Sequence, residues 1–309
     1  MALMRSMLLA ASQNNWLRDN AVNIPFVRRS VSRFMPGETL DAALAAAQTL
    51  LQKKIGSVFT HLGENVADRA EASNVTDHYV AVLNRIRQEN LPSEISVKLT
   101  QLGLDLSPDF CFENLQRILQ AETPGATVWV DMEASNYVDA TLDIYKHALK
   151  NHPNVGLCLQ AYLYRTKRDI ADLLPNCPSI RLVKGAYQEP ATVAFPKKTA
   201  VDENYFALAQ DLLRAKQAGT CTRAAFGTHD LALIRRMSEF VVGQGIAKSA
   251  LEVQMLYGIQ RAEQERLAQD GCRSVVLVAY GTFWYPWFVR RLAERPANVW
   301  FLLRNVFAS

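Results

Sequence analysis

Residues 179–187 read SIRLVKGAY. Read as a buried strand, the stretch poses a question, because Arg181 and Lys184 bracket the apolar pair Leu182 and Val183, and a glycine and a tyrosine follow at once. A buried cation without a partner costs several kcal/mol, so each must face something polar.

The stretch is one of eight. Runs rich in β-branched or aromatic residues also occur at SVFTHL (57–62), EISVKL (94–99), TVWVDM (127–132), VGLCLQAY (155–162), TRAAFGTHD (222–230), LEVQMLYG (251–258) and SVVLVAYG (274–281). Segments with helical spacing lie between most of them, among them DHYVAVLNRIRQEN, FENLQRILQAE, VDATLDIYKHALKN and ENYFALAQDLLRAKQAG, the last closing on a glycine suited to a helix C-cap. Strand and helix alternating eight times predicts parallel βα units closed into a (β/α)8 barrel; an open doubly wound sheet is the structural rival.

Composition agrees with one large unit plus an appendage: 309 residues, of which 49% are hydrophobic. The expected division is an N-terminal helical arm, 1–50, and a barrel domain, 51–309. A net charge of +4 with intermingled signs gives no nucleic-acid footprint. Five scattered cysteines without a C-x-x-C pair exclude a zinc cluster or disulfide framework and fit a reducing cytoplasm, and no metal is expected. The apolar run after Arg5 is too short for a signal peptide, and no stretch reaches the length of a membrane span. FVRRSVSRF (26–34) suits either a solvated arm or peripheral contact with anionic lipid.

Polar residues cluster at the C-terminal ends of the runs: Glu64, Lys98, Asp131, Gln160, Lys184 with Tyr187, Thr228 with His229, and Gln254 with Tyr257. In a (β/α)8 barrel those ends converge on the mouth where active sites are built. Taken singly, His229 reads as a core histidine, Gln160 as a strand-end cap and Lys184 as a snorkelling surface cation; their joint occurrence points to a site. No G-x-S-x-G elbow, Walker loop or H-E-x-x-H is present, and GQGIAK (243–248) lacks the third glycine of a dinucleotide fingerprint. Lys98 beside Asp131 leaves open a Schiff-base barrel lyase.

The C-terminal stretch AYGTFWYPWFVRRLAERPANVWFLL (279–303) is the most distinctive. Pro286 suits a first helical turn and Pro296 a helix end, and the spacing puts Trp287, Arg290, Arg291 and Glu294 on one side. Neighbouring guanidiniums form a fork for a carboxylate, although an Arg290–Glu294 surface pair would give the same pattern.

WYPWFVRRLAE resembles the Y-x-x-R-R-x-x-E motif of flavin-dependent proline dehydrogenases, and RLVKGAY, SVKLTQLG, DMEAS, LQAYLYRT, GTHD and LEVQMLYG resemble that family's other motifs, over roughly residues 50–305. The resemblance implies a distorted (β/α)8 barrel with its last helix over the mouth, and FAD as cofactor. By position it implies that Asp131 is the active-site acid and that Arg181 lies beside the reactive edge of the flavin. Met132, Gln160, Val183, Lys184, Gly185, Thr228 and His229 would hold the cofactor, both cations of the opening stretch facing it. Lys98, Arg290 and Arg291 would clamp the substrate carboxylate, Tyr187 and Leu256 would wall its ring, Glu294 would position the guanidiniums, and Glu64 would act as a gate. The implied reaction is oxidation of L-proline to Δ1-pyrroline-5-carboxylate by hydride transfer to flavin N5, the first step of proline catabolism, with electrons passed to a quinone or other acceptor. A separate pyrroline-5-carboxylate dehydrogenase would take the product, and the location would be cytoplasmic or peripheral at the inner membrane.

Two positions depart from the family pattern: Leu277 and Trp287 each stand where tyrosine is usual. Both would line the ring pocket, which keeps hydroxyproline or another cyclic amino acid open as substrate. A non-catalytic ligand-binding relative is the remaining alternative.

Overall fold

Each of the eight runs forms a strand. A computed structural model describes residues 31–63, 66–121, 125–285 and 287–289. The strands are β1 Gly56–His61, β2 Ser93–Val97, β3 Val128–Val130, β4 Val155–Gln160, β5 Ser179–Val183, β6 Arg223–Gly227, β7 Glu252–Leu256 and β8 Arg273–Tyr280. Strands β2, β3, β5 and β6 stop before the polar tail of their run, whereas β4 and β7 carry Gln160 and Gln254 within the strand. Consecutive strands pair in parallel, and β8 pairs with β1 from Gly56↔Val275 to His61↔Tyr280, which closes the barrel and excludes the open sheet.

Helices α1 Leu40–Gln52, α2 Arg69–Gln88, α3 Pro108–Gln120, α4 Val138–Leu149, α5 Thr166–Leu173, α6 Lys198–Gln217, α7 Leu231–Gly243 and α8 Arg261–Gln269 surround it. Their starts follow local chemistry: Thr39, Asp68, Ser107 and Asp230 cap α1, α2, α3 and α7 by accepting backbone N–H groups. Helix α6 ends as its composition predicts, with Gly219 left-handed at φ +76° two residues beyond Gln217.

Side chains alternate across each strand, so the outer set packs on the helices and the inner set fills the barrel. Ile95, Val97, Val128, Val130, Ile180 and Leu182 belong to the large outer core, whereas Val58, Trp129, Ala225 and Val275 form a separate inner cluster. The Trp129 indole fits because β4 has glycine opposite it: a Cβ on Gly156 would stand 2.5 Å from the ring. Beneath lies a buried ionic floor in which Arg223 bonds Glu252 at 2.6 and 2.7 Å and pairs with Glu94. Burial alone would raise the Glu252 carboxyl, but the Arg223 guanidinium holds it below its ordinary range.

A continuous helix spans the division expected at residue 50. Helix α1 runs through that point and buries Ala43, Leu44, Ala46, Ala47 and Leu50 against β1 and β8. Its small residues let it lie close in the seam where the barrel closes, so it is a barrel helix rather than part of an arm. Preceding it, Val31 and Met35 join Leu62, Ala279, Trp284, Tyr285, Trp287, Phe288 and Val289 in a second apolar cluster at the rim. Of the lipid-contact candidate 26–34, therefore, Val31 is buried within the protein and Phe34 packs 6.2 Å from Phe288, ring centre to ring centre. No helix among the described residues is long and apolar enough to cross a membrane.

Candidate active site

Alternation carries the inner face of each strand up to the mouth. On β2 the inner set is Glu94, Ser96 and then Lys98; on β3 it is Trp129 and then Asp131; on β5 it is Arg181; on β7 it is Glu252, Gln254 and Leu256. These residues meet. The Arg181 guanidinium, 4% exposed, donates to Ser96 Oγ at 2.7 Å, to Gln254 Oε1 at 3.2 Å and to the Asp131 carboxylate. Ser96 in turn donates to Asp131 Oδ1 at 2.8 Å, and Lys98 Nζ stands 3.7 Å from Asp131 Oδ2. Burial alone would lower the Arg181 guanidinium, but the neighbouring Asp131 carboxylate keeps it raised and charged. The result is a cluster in which the Asp131 carboxylate lies between the Arg181 guanidinium and the Lys98 ammonium at the bottom of the mouth.

Gln160 and Met132 lie at the same level. Gln160 Nε2 donates to the carbonyls of Met132 and Glu133 at 3.3 and 3.2 Å, which turns Oε1 the other way; that oxygen is buried and has no partner. An orphaned buried acceptor needs an N–H or O–H donor from outside the protein, and the N–H on the edge of an isoalloxazine is one that fits. Glu133 braces this loop by accepting from Thr100 N–H and Oγ1 at 3.1 and 2.6 Å; burial pushes its carboxyl up, and those bonds oppose the shift.

Beyond β6, Thr228 N–H donates to the Gln254 carbonyl at 3.1 Å and Thr228 Oγ1 accepts from Asp230 N–H at 3.1 Å. His229 Nε2 accepts from the Leu256 N–H at 2.9 Å. That nitrogen carries no proton, so the ring is the neutral Nδ1–H tautomer. Val183 ends β5 and Tyr187 sits half-buried in the loop beyond.

The side chain of Lys184 departs from expectation. One pleat past Val183 it turns outward, and its ammonium is clamped by Asp202 of α6 at 2.5 Å and Asp230 at the start of α7 at 2.8 Å. The two cations of the opening stretch thus point to opposite sides of the barrel wall, as a three-residue separation on an extended chain requires. Gly185 has φ +112°, and a Cβ there would collide with the Tyr162 ring, so the close approach it permits is to that ring.

Glu64, Arg290, Arg291 and Glu294 lie outside the described residues. Trp287 is buried in the rim cluster, and Leu277 is partly exposed above the inner cluster around Trp129. Sequence reading gave Ser96 and Glu133 no role, and named Gln254 only as a strand-end residue. Counting back by two from Lys98 places Ser96 on the inner face, which is the signal that was available.

Fold and site together define a (β/α)8-barrel enzyme whose mouth brings together a buried guanidinium, an ammonium and a carboxylate. The proline dehydrogenase family model matches residues 43–304. Proline dehydrogenase 1 of Bacillus subtilis subsp. natto is 37% identical over 306 residues, covering 98% of this chain and 99% of that protein. The proline dehydrogenase of Deinococcus radiodurans is 37% identical over 280 residues, 89% of each chain. Among solved structures, proline utilization A (PutA) from Bdellovibrio bacteriovorus inactivated by N-propargylglycine shares the fold with a TM-score of 0.79 at 24% identity, over 87% of this chain and 33% of that one. The chain belongs to the proline dehydrogenase family, which is flavin-dependent in general.

Proposed function

We propose that this protein oxidises L-proline to Δ1-pyrroline-5-carboxylate with FAD as cofactor, the first step of proline catabolism. The observation that carries the reading is the convergence of Arg181, Lys98 and Asp131 at the mouth, on a chain of this family. When bound, FAD supplies the hydride-accepting centre and returns the electrons to an external acceptor such as a quinone.

The chain's own residues bind, orient and stabilise. Lys98, with Arg290 and Arg291 from the C-terminal motif, holds the substrate carboxylate, and fixing a molecule as small as proline by its charged end supplies much of the rate gain. Arg181 presents a positive charge to the place where negative charge develops, in a buried setting where it is worth more than in water. Asp131 holds Arg181 and Lys98 in place. Gln160 Oε1 would accept the N–H of the isoalloxazine edge, Met132 would contact its ring, and Thr228 and His229 would hold the ribityl-pyrophosphate portion. Val183 and Gly185 would run along the cofactor with their backbone, which Lys184 fixes through its pairs with Asp202 and Asp230. Tyr187, Leu256 and Leu277 wall the ring. Glu64 gates the empty site and Glu294 positions the guanidiniums. A separate pyrroline-5-carboxylate dehydrogenase consumes the product.

Family membership disfavours both hydroxyproline as main substrate and the lyase built on Lys98. The test is a visible spectrum of the purified protein before and after anaerobic L-proline. Bleaching of a flavin band is expected; a flavin that stays oxidised, or a colourless protein, overturns the reading.

A further inference from the structure

Arg181 would be a poor electrostatic catalyst if it were free to swing, and the structure shows what stops it. Gln254 sits on the inner face of β7, 4% exposed, with its side-chain carbonyl accepting from Arg181 Nη1 at 3.2 Å. An amide can be turned either way, and the wrong way would set its NH2 against the guanidinium. The choice is made one step below, where Gln254 Nε2 donates to Glu252 Oε1 at 2.7 Å. Glu252 cannot turn either, since both its oxygens are held by Arg223, at 2.6 and 2.7 Å, and Arg273 Nε adds a contact at 3.3 Å. A chain of fixed donors and acceptors therefore runs from the ionic floor up to the site cation. On the other side Ser96 accepts from Arg181 Nη2 at 2.7 Å.

We propose that Gln254 is a positioning residue, oriented by Glu252, that holds the Arg181 guanidinium in the attitude a bound flavin requires. The inference rests on the reading of Arg181 as the cation beside that cofactor. A guanidinium anchored through two different nitrogens can neither rotate nor withdraw, so its charge meets the developing negative charge without reorganisation.

The test uses flavin-loaded protein and follows the saturating rate of anaerobic bleaching by L-proline, the proline concentration at half-saturation, and the midpoint potential of the bound flavin. Gln254→Met keeps length and loses the amide: the saturating rate is expected to fall roughly 10–100-fold, with half-saturation within about twofold. Gln254→Glu keeps an oxygen toward Arg181 but sets a second carboxylate against Glu252, and the midpoint potential is expected to become more negative. A merely structural residue would change the melting temperature and neither of these readings. Should Gln254→Met fail to fold, the rate and potential of Gln254→Glu decide the question alone. Wild-type protein that bleaches, together with variants of unchanged rate and potential, overturns the positioning role alone; wild-type protein that does not bleach overturns the reading beneath it.

Discussion

Asp131 carries one negative charge opposite two cations, and its removal exposes how the mouth is balanced. In Asp131→Asn the buried Arg181 loses its only ionic partner among the described residues within bonding distance, while Ser96 and Gln254 still accept from it. Breaking a buried pair costs about 3–5 kcal/mol; with Asp131 partly exposed and two neutral acceptors left, the low end, about 3 kcal/mol, is expected in urea unfolding. A loss under about 1 kcal/mol, the range of an exposed pair, would show that the carboxylate is not the anchor. A second residue-scale prediction concerns His61 at the end of β1, which packs 4.3 Å from His78 of α2, ring centre to ring centre, while His78 Nε2 lies 2.7 Å from Tyr280 OH. Burial, and then the nearby His78, lower the His61 ring from 6.5 to about 4. Unfolded chains take up that proton near 6.5 and the native state does not until about 4, so the stability from the neutral ring is present above 6.5 and lost as pH falls through that window. Discounted for its partial exposure, the loss is about 1–2 kcal/mol. His61→Asn should flatten stability against pH between 6.5 and 4; an unchanged slope would rule His61 out as its source.

At the scale of elements, the tail of β7 meets the N-terminal segment. Gly258 has φ +79°, and a Cβ there would overlap the Arg33 carbonyl, so the backbone at Arg33 and Phe34 rests directly on this loop; Trp284 Nε1 also holds the segment by donating to Glu38 Oε1 at 2.8 Å. Gly258→Ala pays left-handed strain of about 1–3 kcal/mol and a collision. The segment is expected to undock, raising tryptic cleavage at Arg33 by roughly tenfold while far-UV circular dichroism stays unchanged; equal cleavage rates would refute the docking. What could be read beforehand divides along the same line. All eight strands were legible because buried parallel strands are continuous apolar runs. Their ends were not: SIRLVKGAY stops being a strand at Val183, since Gly185 takes φ +112°, and the outward turn of Lys184 follows from a pleat that composition does not print. The apolar stripe of α1, Ala43, Leu44, Ala47 and Leu50, says that a helix is present but not that it packs on β1 and β8, since that contact depends on the barrel's closure. Ser96 and Gln254 stayed silent since their roles depend on Arg181, 85 and 73 residues away, and only the barrel's closure brings them within bonding distance.

For the whole molecule the barrel has two ends with different duties. The N-terminal end is closed by Glu94, Arg223 and Glu252, all inside the wall, with Trp129 Nε1 donating to Glu94 Oε2 at 2.9 Å above them. Glu94, Arg223 and Glu252 are almost wholly withdrawn from solvent, which suits a network that holds the strands, whereas the C-terminal end keeps Lys98 and Asp131 partly exposed. The two ends should therefore separate experimentally. Arg223→Met leaves two buried carboxylates with only the longer Arg273 ion contacts among the described residues, at 3.5 and 3.3 Å, and an unfolding free energy lower by about 3 kcal/mol is expected. Adding Glu94→Gln and Glu252→Gln removes those charges while keeping acceptors for Trp129 and Gln254, and should recover most of the loss. Lys98→Met should do the reverse. On the proposed role of Lys98 it removes one charge-assisted bond to the substrate carboxylate, worth about 1.5–3 kcal/mol, and is expected to raise half-saturating proline by roughly 10–150-fold with unfolding within about 1 kcal/mol of wild type. Urea melts and proline titrations on the same preparations decide it, and a Lys98→Met protein that binds proline normally but unfolds early would mean that the mouth lysine is structural and that the carboxylate is held elsewhere.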